Sequence, residues 1–78
     1  MKTELFDQIV GITEEYLGPA APRFIARQVS FHLGKNPEEL TYADIPQLAE
    51  WTQVTLALLT EDKAMVREFA SKIISLGA

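Results

Sequence analysis

The sequence lacks the residues on which most small catalytic and metal sites depend. It contains no cysteine, so a disulfide framework and thiolate chemistry are excluded. Its single histidine, His32, cannot supply the three or four ligands that a metal site needs. Its four glycines stand singly, so there is no glycine-rich phosphate loop. We therefore expect no enzyme activity, no cofactor and no bound metal.

The chain is also poor in positive charge. Eleven Asp and Glu residues outnumber seven Lys and Arg residues, which gives a net charge of −4. The basic residues are scattered and do not form a stripe, so nucleic acid is an unfavourable partner. The same acidity disfavours binding to an anionic membrane surface.

Long apolar segments are absent as well. The uncharged run over residues 51–60 includes Thr and Gln and is shorter than the ~20 apolar residues that a membrane-spanning helix needs. The first seven residues contain one Lys and no apolar run, which does not match a signal peptide. We expect a cytoplasmic protein.

The sequence does contain strong helical periodicity. Apolar residues recur at spacings of three and four in four segments separated by Gly, Pro and Asn. We predict an all-α protein, a compact four-helix bundle that forms a single domain over residues 1–78. The connector after Gly34 allows an extra short helical turn at residues 37–40, with Leu40 packing into the core.

The predicted centre of the bundle is a helix over residues 45–60. It begins either at an Asp44 cap or with a single turn at residues 42–45. Its side chains divide into a core face and an adjoining face that we call the shoulder. The core face comprises Ile45, Leu48, Ala49, Thr52, Leu56 and Leu59, and the shoulder comprises Trp51, Val54 and Leu58.

Three further helices should surround it. The first covers residues 3–17 and ends at Gly18-Pro19, because Gly favours a left-handed cap and Pro cannot continue a helix. The second begins near residues 19–22 and ends at Gly34. The last begins at Thr60 or Asp62 and runs to Leu76. The outer face of the first helix is acidic, which fits either a solvated face or a docking surface for a basic partner.

His32 lies on the predicted apolar side of the second helix. A lone histidine in such a position usually bonds a backbone carbonyl or a polar neighbour, and Gln28 is four residues away. We expect this packing role. A pH-sensitive packing role is the alternative.

Arg23 and Arg27 lie one turn apart on the second helix. Like charges at this spacing repel weakly, so something is expected to compensate them. One hypothesis is an ion pair with Glu14 or Glu15 across the Gly18 corner. The other is a bound phosphate or carboxylate, because an Arg pair near a helix start can hold an anion.

The corner between the first two helices has a recurrent pattern. It contains Tyr16, Leu17, Gly18, Pro19, Ala21, Phe24, Ile25 and Arg27. The segment resembles a small all-helical bacterial module of uncharacterised function, found towards the C-terminal side of serine/threonine kinases, response regulators and related receivers. The resemblance implies a non-catalytic accessory or interaction domain in bacterial signalling.

Three functional hypotheses follow. The first is a protein-interaction module whose contact surfaces are the shoulder Trp51, Val54 and Leu58 and the stripe of Arg23 and Arg27. The second is a homodimer formed through the same shoulder. The third is a small-anion or nucleotide sensor built on Arg23 and Arg27. Against the use of the shoulder in the first two hypotheses stands the structural expectation that it packs on the first helix.

Overall fold

A computed structural model describes residues 4–77, and these residues contain helices and no strands. The four α-helices are α1 (Glu4–Leu17), α2 (Ala21–Gln28), α3 (Ile45–Leu59) and α4 (Lys63–Leu76). The predicted all-α class is confirmed. The predicted start of the first helix at Thr3 lies outside the described residues.

Helix α1 ends where the sequence predicted. Gly18 adopts a φ of 62°, and a 3-10 turn over Gly18–Ala20 includes Pro19. The inward side of α1 buries Ile9 and Val10. It also buries Thr13, whose Oγ1 donates to the Ile9 carbonyl at 2.8 Å and is thereby satisfied.

Helix α2 is shorter than predicted, because its last turn is wider than an α-turn. A π-helix occupies Val29–Leu33, and Gly34 ends it with a φ of 64°. The Gly34 stop is therefore confirmed, although the helix does not reach it in α-form. The wider turn keeps Val29 fully buried while Phe31 points to solvent. Such turns are often found at functional positions.

The connector consists of two 3-10 turns, Pro37–Glu39 and Tyr42–Asp44, with Leu40 buried between them as predicted. The second turn leads directly into α3, so the alternative of a short turn before the helix is confirmed. The Asp44 carboxylate accepts from the Thr41 backbone N–H at 3.0 Å and from Lys35 Nζ at 2.7 Å. Burial raises the pKa of Asp44, but the bonds from Lys35 and Thr41 outweigh it and hold the pKa below its ordinary value.

Helix α3 supplies the middle of the core. Its inward side chains Leu48, Thr52 and Leu56 are at most 1% exposed. Thr52 Oγ1 donates to the Leu48 carbonyl at 2.8 Å, so the hydroxyl is satisfied in an apolar setting. The assignment of Leu59 to this face is wrong, because its side chain is 66% exposed. Leu59 is the last residue of the helix, and the chain turns away at Thr60 before a neighbour covers it.

Helix α4 begins at an Asp62 cap, one of the two predicted starts. The Asp62 carboxylate accepts from the Met65 backbone N–H at 3.0 Å. Helix α4 packs on α3 and on α1. Its buried residues are Val66, Phe69, Ala70 and Ile73. One apolar cluster joins all four helices and the connector.

Candidate interaction surface

The shoulder of α3 is exposed to solvent. Trp51 is 38% exposed, Val54 50% and Leu58 82%. The expectation that these residues pack on α1 is therefore wrong. Helix α1 packs on α2 and α4 instead.

Two contacts fix the position of α2 beside the shoulder. The rings of His32 and Trp51 stack with centroids 4.1 Å apart and an interplanar angle of 6°. The second contact joins Thr55, four residues after Trp51, to Gln28, four residues before His32. Thr55 Oγ1 donates a hydrogen bond to Gln28 Oε1 at 3.3 Å. The two helices are therefore antiparallel, and the start of α2 lies beside the end of α3.

The role predicted for His32 is wrong in its details. The ring does not bond Gln28 or a backbone carbonyl among the described residues, and it packs face to face on Trp51 instead. Gln28 is buried, and its side-chain oxygen accepts a hydrogen bond from Thr55 and not from His32. The stack holds the indole flat against α2, so Trp51 presents a fixed and partly exposed ring.

The exposed apolar area continues from α3 onto α2. On α2, Ile25 and Val29 face the core and Gln28 faces α3. At 100° per residue, Arg27 falls on the side of Gln28 that is away from the core. That side adjoins the shoulder. Phe31, in the π turn that follows, is 80% exposed. We define the apolar surface by its large exposed side chains: Phe31, Trp51, Val54, Leu58 and Leu59.

A groove borders the apolar surface on its other flank, between the end of α3 and the start of α4. It has a volume of about 790 Å³. Val54 belongs both to the apolar surface and to this groove, and the buried side chain of Val66 is also part of its lining. Lys63 and Arg67 line the α4 side, and Glu61 lines the end.

The basic residues around this surface are unpaired. Lys35 pairs with Asp44, and Lys72 pairs with Glu15 and Glu68. Within residues 4–77, no carboxylate lies within 4.0 Å of the remaining cations. These remaining cations are Arg23, Arg27, Lys63 and Arg67.

The predicted ion pair of Arg23 or Arg27 with Glu14 or Glu15 is therefore wrong in the described chain. Glu15 accepts instead from Lys72 of α4 at 2.8 Å. The sequence could not show this competition, because Lys72 is far from Glu15 along the chain. The two arginines remain exposed on the α2 flank of the apolar surface.

The surface between α1 and α4 is organised differently. Tyr16 Oη donates to Glu68 Oε1 at 2.6 Å, and Lys72 Nζ lies 5.2 Å from the centre of the Tyr16 ring. Burial, followed by the bond to Glu68, raises the pKa of Tyr16. The bond to Glu15, followed by the contact with Tyr16, raises the pKa of Lys72. We call these residues, Glu15, Tyr16, Glu68 and Lys72, the α1–α4 network.

Sequence analysis missed part of the candidate surface. It named Trp51, Val54, Leu58, Arg23 and Arg27, but it placed Leu59 in the core and gave Lys63 and Arg67 no role. One signal was present: Lys63 and Arg67 form a second like-charged pair at a spacing of four, as Arg23 and Arg27 do.

Two further types of site are absent from the described part of the chain. No three His, Cys, Asp or Glu side chains in residues 4–77 are grouped so that they could hold a metal ion. Over the same residues, no helix has the length and apolar character needed to cross a bilayer.

Comparison with known proteins gives no match to this chain among family models, curated proteins or solved structures.

Proposed function

We propose that this protein is a non-catalytic protein-interaction module and that it binds its partner through the apolar surface. The observation behind the proposal is the exposure of Trp51, Val54 and Leu58 along one face of α3. Beside them, Phe31 is exposed on the π turn whose His32 stacks on Trp51. Single exposed apolar residues are ordinary in soluble proteins, but a contiguous group rimmed by polar residues is typical of a binding surface.

The composition of the apolar surface supports this proposal. Trp, Phe and Leu supply large contact areas, and aromatic residues are enriched at the energetic centres of interfaces. Trp51 is held by its stack on His32, so little freedom of the indole is lost on binding. The surface also lies on regular helices, which present it in one fixed arrangement.

The proposal includes the setting predicted from the sequence. We propose a compact four-helix bundle that serves as an accessory domain in bacterial signalling, in the cytoplasm. The resemblance of residues 15–27 to helical modules of signalling proteins supports this setting. The Gly18 turn at the centre of that pattern has the left-handed φ that the pattern requires.

Site-specific photocrosslinking in the producing cells tests the proposal. A photoreactive phenylalanine would replace Leu58 on the apolar surface, and in a matched variant it would replace exposed Gln8 on α1. We expect a discrete crosslinked protein from position 58 alone, and purified partner should then bind the unmodified chain. Equal, weak labelling from both positions would contradict the proposal.

The first alternative is a symmetric homodimer formed through the same surface. Exposure of Trp51 and Leu58 in the single chain is compatible with a copy of the chain covering them. Sedimentation velocity at two concentrations separated by about a hundredfold distinguishes the two functions. A monomer at both concentrations would eliminate the dimer.

The second alternative is a small-anion or nucleotide sensor. The absence of a carboxylate near Arg23 and Arg27 in the described residues favours it, since both guanidinium groups retain all their donors. Chemical-shift mapping with phosphate and with nucleotides tests this alternative. Unchanged signals at both arginines would eliminate it.

A further inference from the structure

The charges around the apolar surface point to a particular kind of partner. The chain as a whole is acidic, with a net charge of −4. All four cations without a carboxylate partner in residues 4–77 nevertheless border this one surface. Arg23 and Arg27 lie on its α2 flank, and Lys63 and Arg67 line the groove on its α4 flank.

From this arrangement we infer that the partner contributes an amphipathic helix with an apolar stripe and acidic residues on both sides of that stripe. The inference rests on the proposed function, because it names the partner of the same surface. Apolar contacts at the centre would supply most of the binding energy. The two cationic flanks would select the acidic helix over basic or neutral ones.

The dimensions of the surface fit a helix. Trp51, Val54 and Leu58 occupy positions i, i+3 and i+7 of α3, which extend over about 10 Å at 1.5 Å per residue. A partner helix would cover that length with two turns, presenting apolar residues at the same spacing. The groove beside Val54 would accept the edge of such a helix, because it is open and its lining includes apolar residues of both α3 and α4.

Two acidic residues restrict how the helix can lie. Glu61 lines the end of the groove, and Glu50 is exposed one turn before Val54 on α3. Both would repel an acidic side chain placed next to them. The partner's acids are therefore expected opposite Arg27 and Arg67, and Glu61→Gln should strengthen binding of an acidic helix. The same two acids disfavour an anionic lipid surface, which would contact the whole rim at once.

Designed peptides test the inference directly. Three hydrocarbon-stapled helices would share Leu at positions i, i+3 and i+7 and would differ only in having Glu, Gln or Lys on both flanks. Staples keep the helices equally ordered whatever their charge. Binding would be followed by the emission of Trp51, the only Trp of the chain, and by backbone amide shifts.

We expect affinity to fall in the order Glu, Gln, Lys. At low salt the Glu-flanked helix should bind about tenfold more tightly than the Gln-flanked helix, because four exposed ion pairs each contribute a small amount. Raising NaCl to roughly 500 mM should remove most of that difference, because salt screens exposed charges. The shifts should centre on α3 and on the start of α4.

Matched variants locate the effect. Arg27→Gln combined with Arg67→Gln should reduce the preference for the Glu-flanked helix to about threefold, because Arg23 and Lys63 remain, and should leave binding of the Gln-flanked helix unchanged. Lys72→Gln removes a positive charge from the α1–α4 network and should leave both affinities unchanged. Circular dichroism of each variant confirms that the helices are retained.

The outcomes separate the inference from the proposed function. Equal binding of all three helices at the apolar surface overturns the inference and leaves the interaction module intact. The inference is also overturned if the Lys-flanked helix binds most tightly or if the Glu-flanked helix does not bind. Two further results would overturn it: concentration-dependent dimerisation that buries Trp51, and binding to phosphatidylserine vesicles. The proposed function itself fails only if photocrosslinking at position 58 identifies no partner.

Discussion

The α1–α4 network and the apolar surface lie on different sides of the molecule and differ in how their charges are paired. In the network, Lys72 contacts two carboxylates and a tyrosine ring. Around the apolar surface, Lys63 and Arg67 of the same helix contact no carboxylate in the described chain. The basic residue near the end of α4 thus has carboxylate partners, whereas the two basic residues near its start have none among residues 4–77.

The comparison shows what each surface contributes. Exposed ion pairs add little to stability, so the network orients side chains on a side of the molecule that is already closed. The apolar surface adds little to the stability of the single chain, because its side chains remain in water. The core between the two surfaces stabilises the fold. The residues needed for folding are therefore different from the residues that are free to bind a partner.

The largest expected effect separates the two faces of α3. Leu56→Ala should cost about 3 kcal/mol of unfolding free energy, because it removes a buried side chain and leaves a cavity. That is a large share of the roughly 5 kcal/mol typical of so small a domain. Leu58→Ala, the same change two residues later, should alter stability by less than about 0.5 kcal/mol. Urea unfolding measures both; similar losses would show that Leu58 is covered.

The next effect concerns Lys35 and Asp44, which form the ion pair best shielded from water among residues 4–77. Asp44→Asn should lower the free energy of unfolding by about 1 kcal/mol, because it weakens the contacts with Thr41 and Lys35. A lowered folded pKa means that this stability is present above the ordinary value of 3.8 and is lost as the pH falls through the folded pKa. Unfolding measured at pH 7 and at successively lower pH should show the difference in full at pH 7 and shrinking as the pH falls below 3.8. Glu39→Gln, at the matching position of the first 3-10 turn, is the exposed control.

A smaller effect is expected within the network. Tyr16→Phe should lower the free energy of unfolding by at most about 1 kcal/mol, since it removes an exposed hydrogen bond to Glu68. Because the pKa of Tyr16 is raised, its contribution is present below the ordinary value of 10.0 and is lost as the pH rises through the folded pKa. Ultraviolet titration of tyrosinate should show a late-ionising group that is missing in Tyr16→Phe. The absence of a group in the wild-type chain that ionises above the ordinary tyrosine value would contradict the network.

The smallest effect should differ in sign between the two surfaces. Lys72→Gln should lower the melting temperature slightly, because it removes contacts with Glu15 and Glu68. Arg67→Gln should leave it unchanged or raise it slightly, because it relieves repulsion from Lys63 one turn earlier. Differential scanning calorimetry at low salt measures both. Equal decreases would mean that Arg67 has an intramolecular partner.

Local rules predicted most of the fold. The ends at Gly18 and Gly34, the Asp62 cap and the inward face of α3 each depend on a few neighbouring residues. The π turn was not predicted, because it depends on keeping Val29 in the core while His32 meets Trp51 on another helix.

The candidate surface was harder to predict because exposure and pairing are long-range properties. The rotation of 100° per residue placed Leu59 on the core face of α3. Leu59 is nevertheless exposed, because it is the last residue of the helix and no neighbour covers it there. Charge spacing identified Arg23 and Arg27 as unusual, but the partner of Glu15 proved to be Lys72, on a different helix. The shoulder was recognised as apolar, but only the packing of α1 on α2 and α4 showed that α1 does not cover it.

The π turn at Val29–Leu33 contains one residue more than an α turn would need for the same rotation. Deleting one residue there would let the segment continue as a regular helix, and the side chains that follow would keep nearly the same direction. The stack of His32 on Trp51 would be kept if the deleted residue were one of the exposed ones, Ser30 or Phe31. Distant relatives that share this surface should therefore have an interval between Arg27 and Gly34 that is either the same or one residue shorter.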